Sequence, residues 1–398
     1  MGSRVWILII CGGAILALAM GLRQSMGLYL TPITIDLGLG REVFALAMGL
    51  MNLVWGLAAP FAGAVADRYG AARVVVLGGV TYAAGLFWIT LAGAGEQLII
   101  GGVLIGFGLS GAGFAVVLGA VARGVSESRR SSALGLVTMG GSIGQLLVLP
   151  LAHFTTQATS WQMSLWILAG CMLIALPLSM GIAGRTEAVA TTNTISVRSA
   201  LDEAVHSRSF WLLNAGFFVC GFQLAFVGLH FPAWLADQGF ASWLAPASLS
   251  LIGVTNIIGS WGCGWLGGYF PKKDLLSLLY LARAILFLGF ILVPVSEASV
   301  LIFCTAIGFL WLGTVPLTSG VVAHIFGTSH IAMLFGLVFF GHQVGGFLGA
   351  WLSGVIFDNT GSYDAMWWSC VVLGVLAALL HWPIEERPLD DSQALTVS

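Results

Sequence analysis

One offset of 201 residues carries three separate stretches of this chain onto three others without a gap. Gly63-Ala-Val-Ala-Asp67-Arg68-Tyr-Gly70 falls on Gly264-Trp-Leu-Gly-Gly268-Tyr-Phe-Pro271, and Gly119-Ala-Val-Ala-Arg123 falls on Gly320-Val-Val-Ala-His324. Gly135-Leu-Val-Thr-Met-Gly140 falls on Gly336-Leu-Val-Phe-Phe-Gly341. A repeat about half the length of a 398-residue chain implies two similar halves rather than a stack of small units. Where both halves are apolar, that is the architecture of secondary transporters, whose substrate site lies where the halves meet.

The composition fits lipid rather than water. The chain is 58% hydrophobic and 8% charged, with a mean hydropathy of +0.98; a soluble domain carries roughly a quarter charged residues. Fifty-four glycines suit helices that pack by close backbone approach. A net charge of −2 gives no footprint for a nucleic acid. The six cysteines, Cys11, Cys171, Cys220, Cys263, Cys304 and Cys370, all fall in apolar stretches without metal or redox spacing.

Twelve apolar runs have the length of membrane spans: 5–34, 44–66, 73–94, 97–122, 131–154, 162–183, 210–235, 246–268, 275–295, 298–323, 331–356 and 364–382. The first contains Ala17-Leu-Ala19, a plausible signal-cleavage pattern after Arg4. The apolar run continues past it, and removal would leave six spans facing five. With the N-terminus inside, the cytoplasmic segments hold twelve Lys and Arg residues and the outer loops only Arg41. Both termini are therefore expected to be cytoplasmic. The expected organisation is an N-terminal six-helix half over 1–184, a linker over 185–208, a second half over 209–382 and a tail over 383–398. The linker holds a candidate surface helix at Ser199–His206, and the acidic tail is expected to be disordered.

Charges inside spans are costly and mark function. Arg23 lies past the middle of span 1 and Arg283 mid-span 9, while no Asp or Glu lies at the centre of any span. A buried guanidinium without an acidic partner suits a substrate carboxylate, which it can grip with two charge-assisted hydrogen bonds. The alternative for Arg23 is snorkelling or bonds to backbone carbonyls. For Arg283 it is a structural role tied to Tyr280 or to a broken helix. Polar groups near them complete the candidate site: Tyr29, His230 (opposite Tyr29 in the repeat), Asn256, His342 and Gln343. His153 is a third histidine within a span. A histidine at such a position either packs through hydrogen bonds or titrates during transport. Among aromatic residues, Trp55, Trp234, Trp311 and Phe340 either pack or narrow the pathway.

Gly63-x-x-x-Asp67-Arg68-x-Gly70-x-x-Arg73, between spans 2 and 3, resembles the signature loop of the major facilitator superfamily. The second copy is eroded, with Gly268 and Pro271 in place of the aspartate and glycine. The resemblance implies an all-α membrane fold of two pseudo-symmetric six-helix bundles, with helices 1, 4, 7 and 10 lining the cavity. It also implies a gating group of Gly63, Asp67, Arg68, Gly70, Arg73 and Arg123 at the cytoplasmic helix ends. Within the superfamily, Arg23-Gln-Ser-Met-Gly-Leu-Tyr-Leu-Thr-Pro32, Gly336-Leu-Val-Phe-Phe-Gly-His-Gln343 and Ile356-Phe-Asp358-Asn-Thr-Gly-Ser-Tyr363-Asp364 resemble the bacterial monocarboxylate porter and oxalate–formate antiporter group. Those relatives carry small organic acids. The family's span-4 arginine would fall near Gly102 and is absent, as is the span-5 glycine–proline signature of drug:proton antiporters.

The expected function is transport of a small organic anion, a monocarboxylate, by alternating access with proton symport. Exchange of one acid for another and efflux of a hydrophobic compound are the alternatives. A membrane-embedded enzyme would need a general base or metal ligands at membrane depth. The spans contain no His-Glu-x-x-His pattern and no carboxylate pair. The expected setting is a bacterial inner membrane and the expected state a monomer. Its partners are then lipid, the acid and a proton, with no cofactor, metal or nucleic acid.

Overall fold

The computed structural model describes residues 3–183, 197–327 and 331–387. Its regular elements are all helical, the arrangement that satisfies every backbone group without water. Among the described residues, twelve helices are long and apolar enough to cross a bilayer. Spans 1 to 6 are Ser3–Leu37, Arg41–Tyr69, Ala71–Thr90, Gly95–Gly124, Ala133–Ala158 and Trp161–Ile182. Spans 7 to 12 are Arg208–Asp237, Leu244–Leu266, Lys272–Leu292, Glu297–Phe326, Met333–Thr360 and Asp364–His381. Each coincides with one of the twelve apolar runs. Most run a few residues further, because helical backbone continues into the polar flanks that hydropathy leaves out.

Among the described residues four spans are discontinuous, span 6 among them, with a turn at Ile174 between Trp161–Leu173 and Ala175–Ser179 and a closing 3₁₀ turn at Met180–Ile182. Span 1 tightens into a 3₁₀ turn at Met26–Tyr29, directly after Arg23. Span 4 breaks at Gly113, between Gly95–Ala112 and Phe114–Gly124. Span 10 breaks between Glu297–Phe309 and Thr314–Phe326. The repeat offset carries Gly113 to Thr314, one residue past the break of span 10, so the halves share this irregularity to within a residue as well as their glycines.

Two hydrophobic cores follow the two halves. One gathers spans 1–6 around residues such as Leu22, Tyr82, Leu109 and Leu165. The other gathers spans 7–12 around Phe217, Phe287, Phe303 and Trp367. Ala225, Leu229, Ala233 and Ala350 of spans 7 and 11 join the first core, and Leu149 of span 5 joins the second. The halves therefore meet along spans 1 and 7, 2 and 11, and 5 and 8. Spans 1 and 7 cross at Gly27 and Gly228, where a Cβ on Gly27 would collide with the Gly228 carbonyl oxygen.

A helix covers Val197–His206 and runs into span 7 through Ser207, whose hydroxyl accepts from the Phe210 amide. The rest of the linker lies outside the described residues. The first residues of the tail are packed rather than loose. Ile384 is buried, the Glu385 amide donates to Ser209 Oγ, and Glu386 accepts from Lys272 Nζ at 3.1 Å and from the Lys273 amide. Composition alone predicts disorder there. The anchor is a carboxylate seated at the N-terminus of span 9, which needs only one acidic residue at the right distance. The tail beyond Arg387 lies outside the described residues.

Candidate substrate site

Arg23 opens onto a narrow pocket that straddles the interface of the halves. Spans 1 and 2 contribute Arg23, Gln24, Met48, Met51 and Asn52; spans 7 and 11 contribute Leu224, Gly228 and Ala350. The wall holds one cation and two amides among apolar groups. The methionines Met26, Met48 and Met51 give it an adaptable surface. The 3₁₀ turn and the glycine crossing bring the backbones of spans 1 and 7 together beside it.

The Arg23 guanidinium donates from Nε at 3.2 Å and from Nη2 at 2.9 Å to one oxygen, Asn52 Oδ1. Its Nη1 donates to Gln24 Oε1 at 3.4 Å, and its Cζ lies 5.3 Å from the Trp55 ring centroid. Asn52 donates its Nδ2 to the Met48 carbonyl at 3.1 Å. All of these acceptors are neutral. Among the described residues, no carboxylate pairs with Arg23. Neutral hydrogen bonds satisfy the donors without cancelling the charge, so the site is electrostatically ready for an anion.

Gln343 and His342 lie about two turns along span 11 from Ala350, beside span 2. A Cβ on Gly56 would be 2.7 Å from Gln343 Cβ, and one on Gly346 would touch both Asn52 and Gln343 Oε1. His342 Nδ1 faces Gln343 Oε1 at 3.3 Å. His342 Nε2 and Gln343 Nε2 are buried without a hydrogen-bond partner among the described residues. A polar seam thus leads from Arg23 through Asn52 toward this pair.

Four other predicted site residues are engaged elsewhere. Tyr29 turns into the first half and bonds Ser164 Oγ at 2.6 Å. His230 is fully buried, with Nε2 at 2.9 Å from the Ala350 carbonyl and Nδ1 at 2.9 Å from Tyr363 Oη. Asn256 bridges the halves: its Nδ2 donates to Ser142 Oγ of span 5 at 3.0 Å, and its Oδ1 accepts from the Leu312 amide at the span-10 break. Arg283 braces the same break. Its guanidinium donates to the carbonyls of Leu310 and Trp311, to Gln223 Oε1 and to Cys220 Sγ. Those carbonyls end the helix Glu297–Phe309, where a cation is favoured. Of the two readings of Arg283, the geometry takes the broken-helix one.

Gly140-Gly-Ser142-Ile-Gly144 has the spelling of a nucleophile elbow, but it runs along one helix with Ser142 held by Asn256. The strand-turn-helix that exposes such a serine is missing among the described residues.

Two charged contacts sit at opposite ends of the bundle. At one end, Arg41 of span 2 forks onto Asp237 of span 7, with both N···O distances 2.6 Å. It also donates to Tyr363 Oη at 3.0 Å and lies 3.7 Å over the Phe357 ring. Asp358 accepts from the Arg41 and Glu42 amides at 3.0 and 2.8 Å, capping span 2 from span 11. The carbonyl of Ala350 requires a donor at His230 Nε2, so Nδ1 accepts from Tyr363, whose oxygen accepts from Arg41. Burial raises the Tyr363 phenol well above its usual value, against the lowering by Arg41, which keeps its proton available to His230. The chain Arg41–Tyr363–His230–Ala350 ends on a pocket wall. At the other end, Asp67 pairs with Arg123, while Arg68 lies over Tyr69 and Arg73 donates to the Tyr69 carbonyl. Of the three arginines in the expected gating group, Arg123 is thus the one that pairs with Asp67. Gly70 closes span 2 at φ +97°, a conformation that demands glycine. At Gly63, by contrast, an added Cβ would meet no atom within 4 Å.

Asn52, Gln24, Arg41, Asp237, Asp358 and Tyr363 are not among the sequence candidates. Asn52 carries a signal: it is a lone amide in the middle of span 2, subject to the same cost argument as a charge. Gln24 lies beside Arg23 within span 1, and the remaining four are polar residues toward span ends, which sequence alone cannot pair across halves.

Twelve spans in two cores, with a charged pocket between them, define a membrane transporter of the two-bundle kind. The sequence matches the Major Facilitator Superfamily over residues 9–349, and the chain belongs to that family. It is 24% identical to the uncharacterized MFS-type transporter YcxA of Bacillus subtilis, over 90% of each chain. It is 28% identical to monocarboxylate transporter 13 of Rattus norvegicus, covering 94% of this chain and 86% of that one. Identity is also 28% to monocarboxylate transporter 11 of Mus musculus, covering 93% of this chain and 85% of that one. A crystal structure of a bacterial homologue of the human lysosomal transporter Spinster, in an inward-facing and occupied conformation, aligns at a TM-score of 0.74 with 15% identity. It covers 98% of this chain and 99% of that one, and shares the fold.

Proposed function

We propose that this transporter moves a small organic anion, a monocarboxylate, by alternating access. The observation that carries the reading is Arg23: a cation in an interface pocket whose contacts are all neutral. A carboxylate arriving there displaces the long Gln24 contact and completes a charge-assisted pair. The similarity to monocarboxylate transporters 13 and 11 supports the same substrate class. Proton symport fits a site with one unneutralised cation and no carboxylate, because acid and proton cross together without net charge. Exchange of one acid for another uses the same pocket. We place both termini in the cytoplasm, which puts Arg41 outside and Asp67 inside, in a bacterial inner membrane.

The test is binding and transport with the purified protein in proteoliposomes. Monocarboxylates from acetate to benzoate should compete for uptake, and their amides should not. Arg23→Ala should abolish uptake while the protein remains in the membrane. Arg23→Lys should lose at least tenfold, because a point charge does not reproduce the planar fork. Equal competition by acid and amide, or normal uptake by Arg23→Ala, overturns the organic-anion reading. Efflux of a neutral apolar compound then takes its place.

A further inference from the structure

We infer that Asn52 determines the charge class of substrate this pocket accepts, by holding Arg23 in place with a neutral oxygen. The inference rests on the organic-anion reading and names the residue that makes it work. A guanidinium presents five N–H groups in a fixed plane. Asn52 Oδ1 takes two of them, on Nε at 3.2 Å and Nη2 at 2.9 Å, so that edge is closed to a substrate. The edge formed by Nη1 and the second Nη2 hydrogen stays open. Its one contact is the 3.4 Å bond to Gln24. A carboxylate must therefore approach end-on, from the side of spans 7 and 11.

The amide itself is fixed. Its Nδ2 donates to the Met48 carbonyl, which aims Oδ1 at Arg23 and settles the orientation of the group. Asn52 is buried, and Gly346 of span 11 lies against it closely enough that an added Cβ would be 3.6 Å from Asn52 Cβ and Cγ. The Met48 carbonyl on one side and the Arg23 guanidinium on the other hold the amide in this orientation. Asparagine and aspartate have nearly the same shape, so the exchange at position 52 changes the charge beside Arg23 and replaces the Nδ2 donor to the Met48 carbonyl with an acceptor. Asparagine leaves Arg23 positive and the empty pocket cationic. Aspartate would make an internal ion pair, and a substrate anion would then meet a neutral site with a carboxylate beside it.

The experiment uses purified protein and measures the affinities of pyruvate, lactate and benzoate against their amides. Three proteins are compared: wild type, Asn52→Asp and Asn52→Ala. Wild type should prefer each acid it binds. Asn52→Asp should lose acid affinity by about ten- to a hundredfold, the range of one charged hydrogen-bonded contact, and bind acid no better than amide. Asn52→Ala keeps the charge but frees the guanidinium, so acid binding should weaken several-fold while the preference over amide survives. Retained acid preference in Asn52→Asp overturns the inference, as does loss of preference in Asn52→Ala. If Asn52→Asp does not give a monodisperse protein, Asn52→Ala decides alone: unchanged acid affinity overturns the positioning role. A wild type indifferent between acid and amide overturns the organic-anion reading and this inference with it. Acid preference in wild type that persists in Asn52→Asp removes the inference only.

Discussion

The two arginines within spans show how the same costly group serves two purposes. Arg23 and Arg283 both lack a carboxylate at their depth, and sequence offers the same argument for each. What separates them is their acceptors. Arg23 meets two amides beside a pocket, whereas Arg283 spends its donors on carbonyls freed by a helix break, on Gln223 and on Cys220. Removing Arg283 strands those carbonyls in a dry core, at about 1–3 kcal/mol for each buried group left unsatisfied. Arg283→Ala should therefore lower the thermal unfolding midpoint of the purified protein by several degrees. The acid-over-amide preference of whatever protein folds should remain. A stable Arg283→Ala protein that has lost that preference would return Arg283 to the substrate site.

At the scale of elements, the charged contacts at the two ends are unequal. The Arg41–Asp237 pair joins the halves and is largely shielded, with side-chain exposures of 13% and 31%. It is reinforced by the Asp358 cap and the Tyr363–His230 chain. The Asp67–Arg123 pair lies within one half and is open to solvent, with Asp67 at 64% and Arg123 at 29%. Exposed pairs of that kind contribute about 0–1 kcal/mol. Asp67→Asn should accordingly slow uptake only a few-fold, and substrate affinity should not change; a loss of affinity would contradict a purely structural pair. Arg41→Met should act differently. It removes the fork to Asp237 and the donor to Tyr363 together, so it should raise the population open at that end. An added cysteine near residue 38 should then react faster with a water-soluble maleimide than in the unaltered protein. Equal rates would show that the Arg41 network does not hold the end closed.

For the molecule as a whole, the sequence is most legible where the physics is periodic or compositional. Twelve apolar runs and a constant offset are enough for spans and family resemblance, because lipid admits few alternatives to a helix. Even the breaks of spans 4 and 10 match across the repeat to within a residue. The site is less legible. Arg23 stands out by its charge, but Tyr29 and His230 qualify only by lying on the right helices, and helix rotation turns both away from the pocket. Asn256 reads as a substrate contact and instead ties span 8 to span 5 and to the break in span 10. A side chain's depth can be counted along a sequence, but the direction it faces depends on a partner half far away in the chain.

The proposed alternating access requires that the Arg41 end separate during each cycle, and the structure supplies a place to test it. A Cβ on Gly40 would lie 3.1 Å from Asp358 Cγ, close to the Cβ-to-sulfur spacing within a disulfide. Gly40 has an ordinary backbone conformation, φ −66° and ψ 158°, so a cysteine there carries no strain. The double variant Gly40→Cys/Asp358→Cys, in a background with the six native cysteines replaced, should therefore oxidise readily and tie span 2 to the end of span 11. Uptake should fall at least tenfold on oxidation and return on reduction. Each single-cysteine variant should ignore both treatments. Substrate binding from the opposite side should survive, because the bond sits beyond the Arg23 pocket and closes an end that is already closed. If the oxidised double variant transports at the reduced rate, the two halves do not part at this end. The Arg41 network is then a fixed brace rather than a gate.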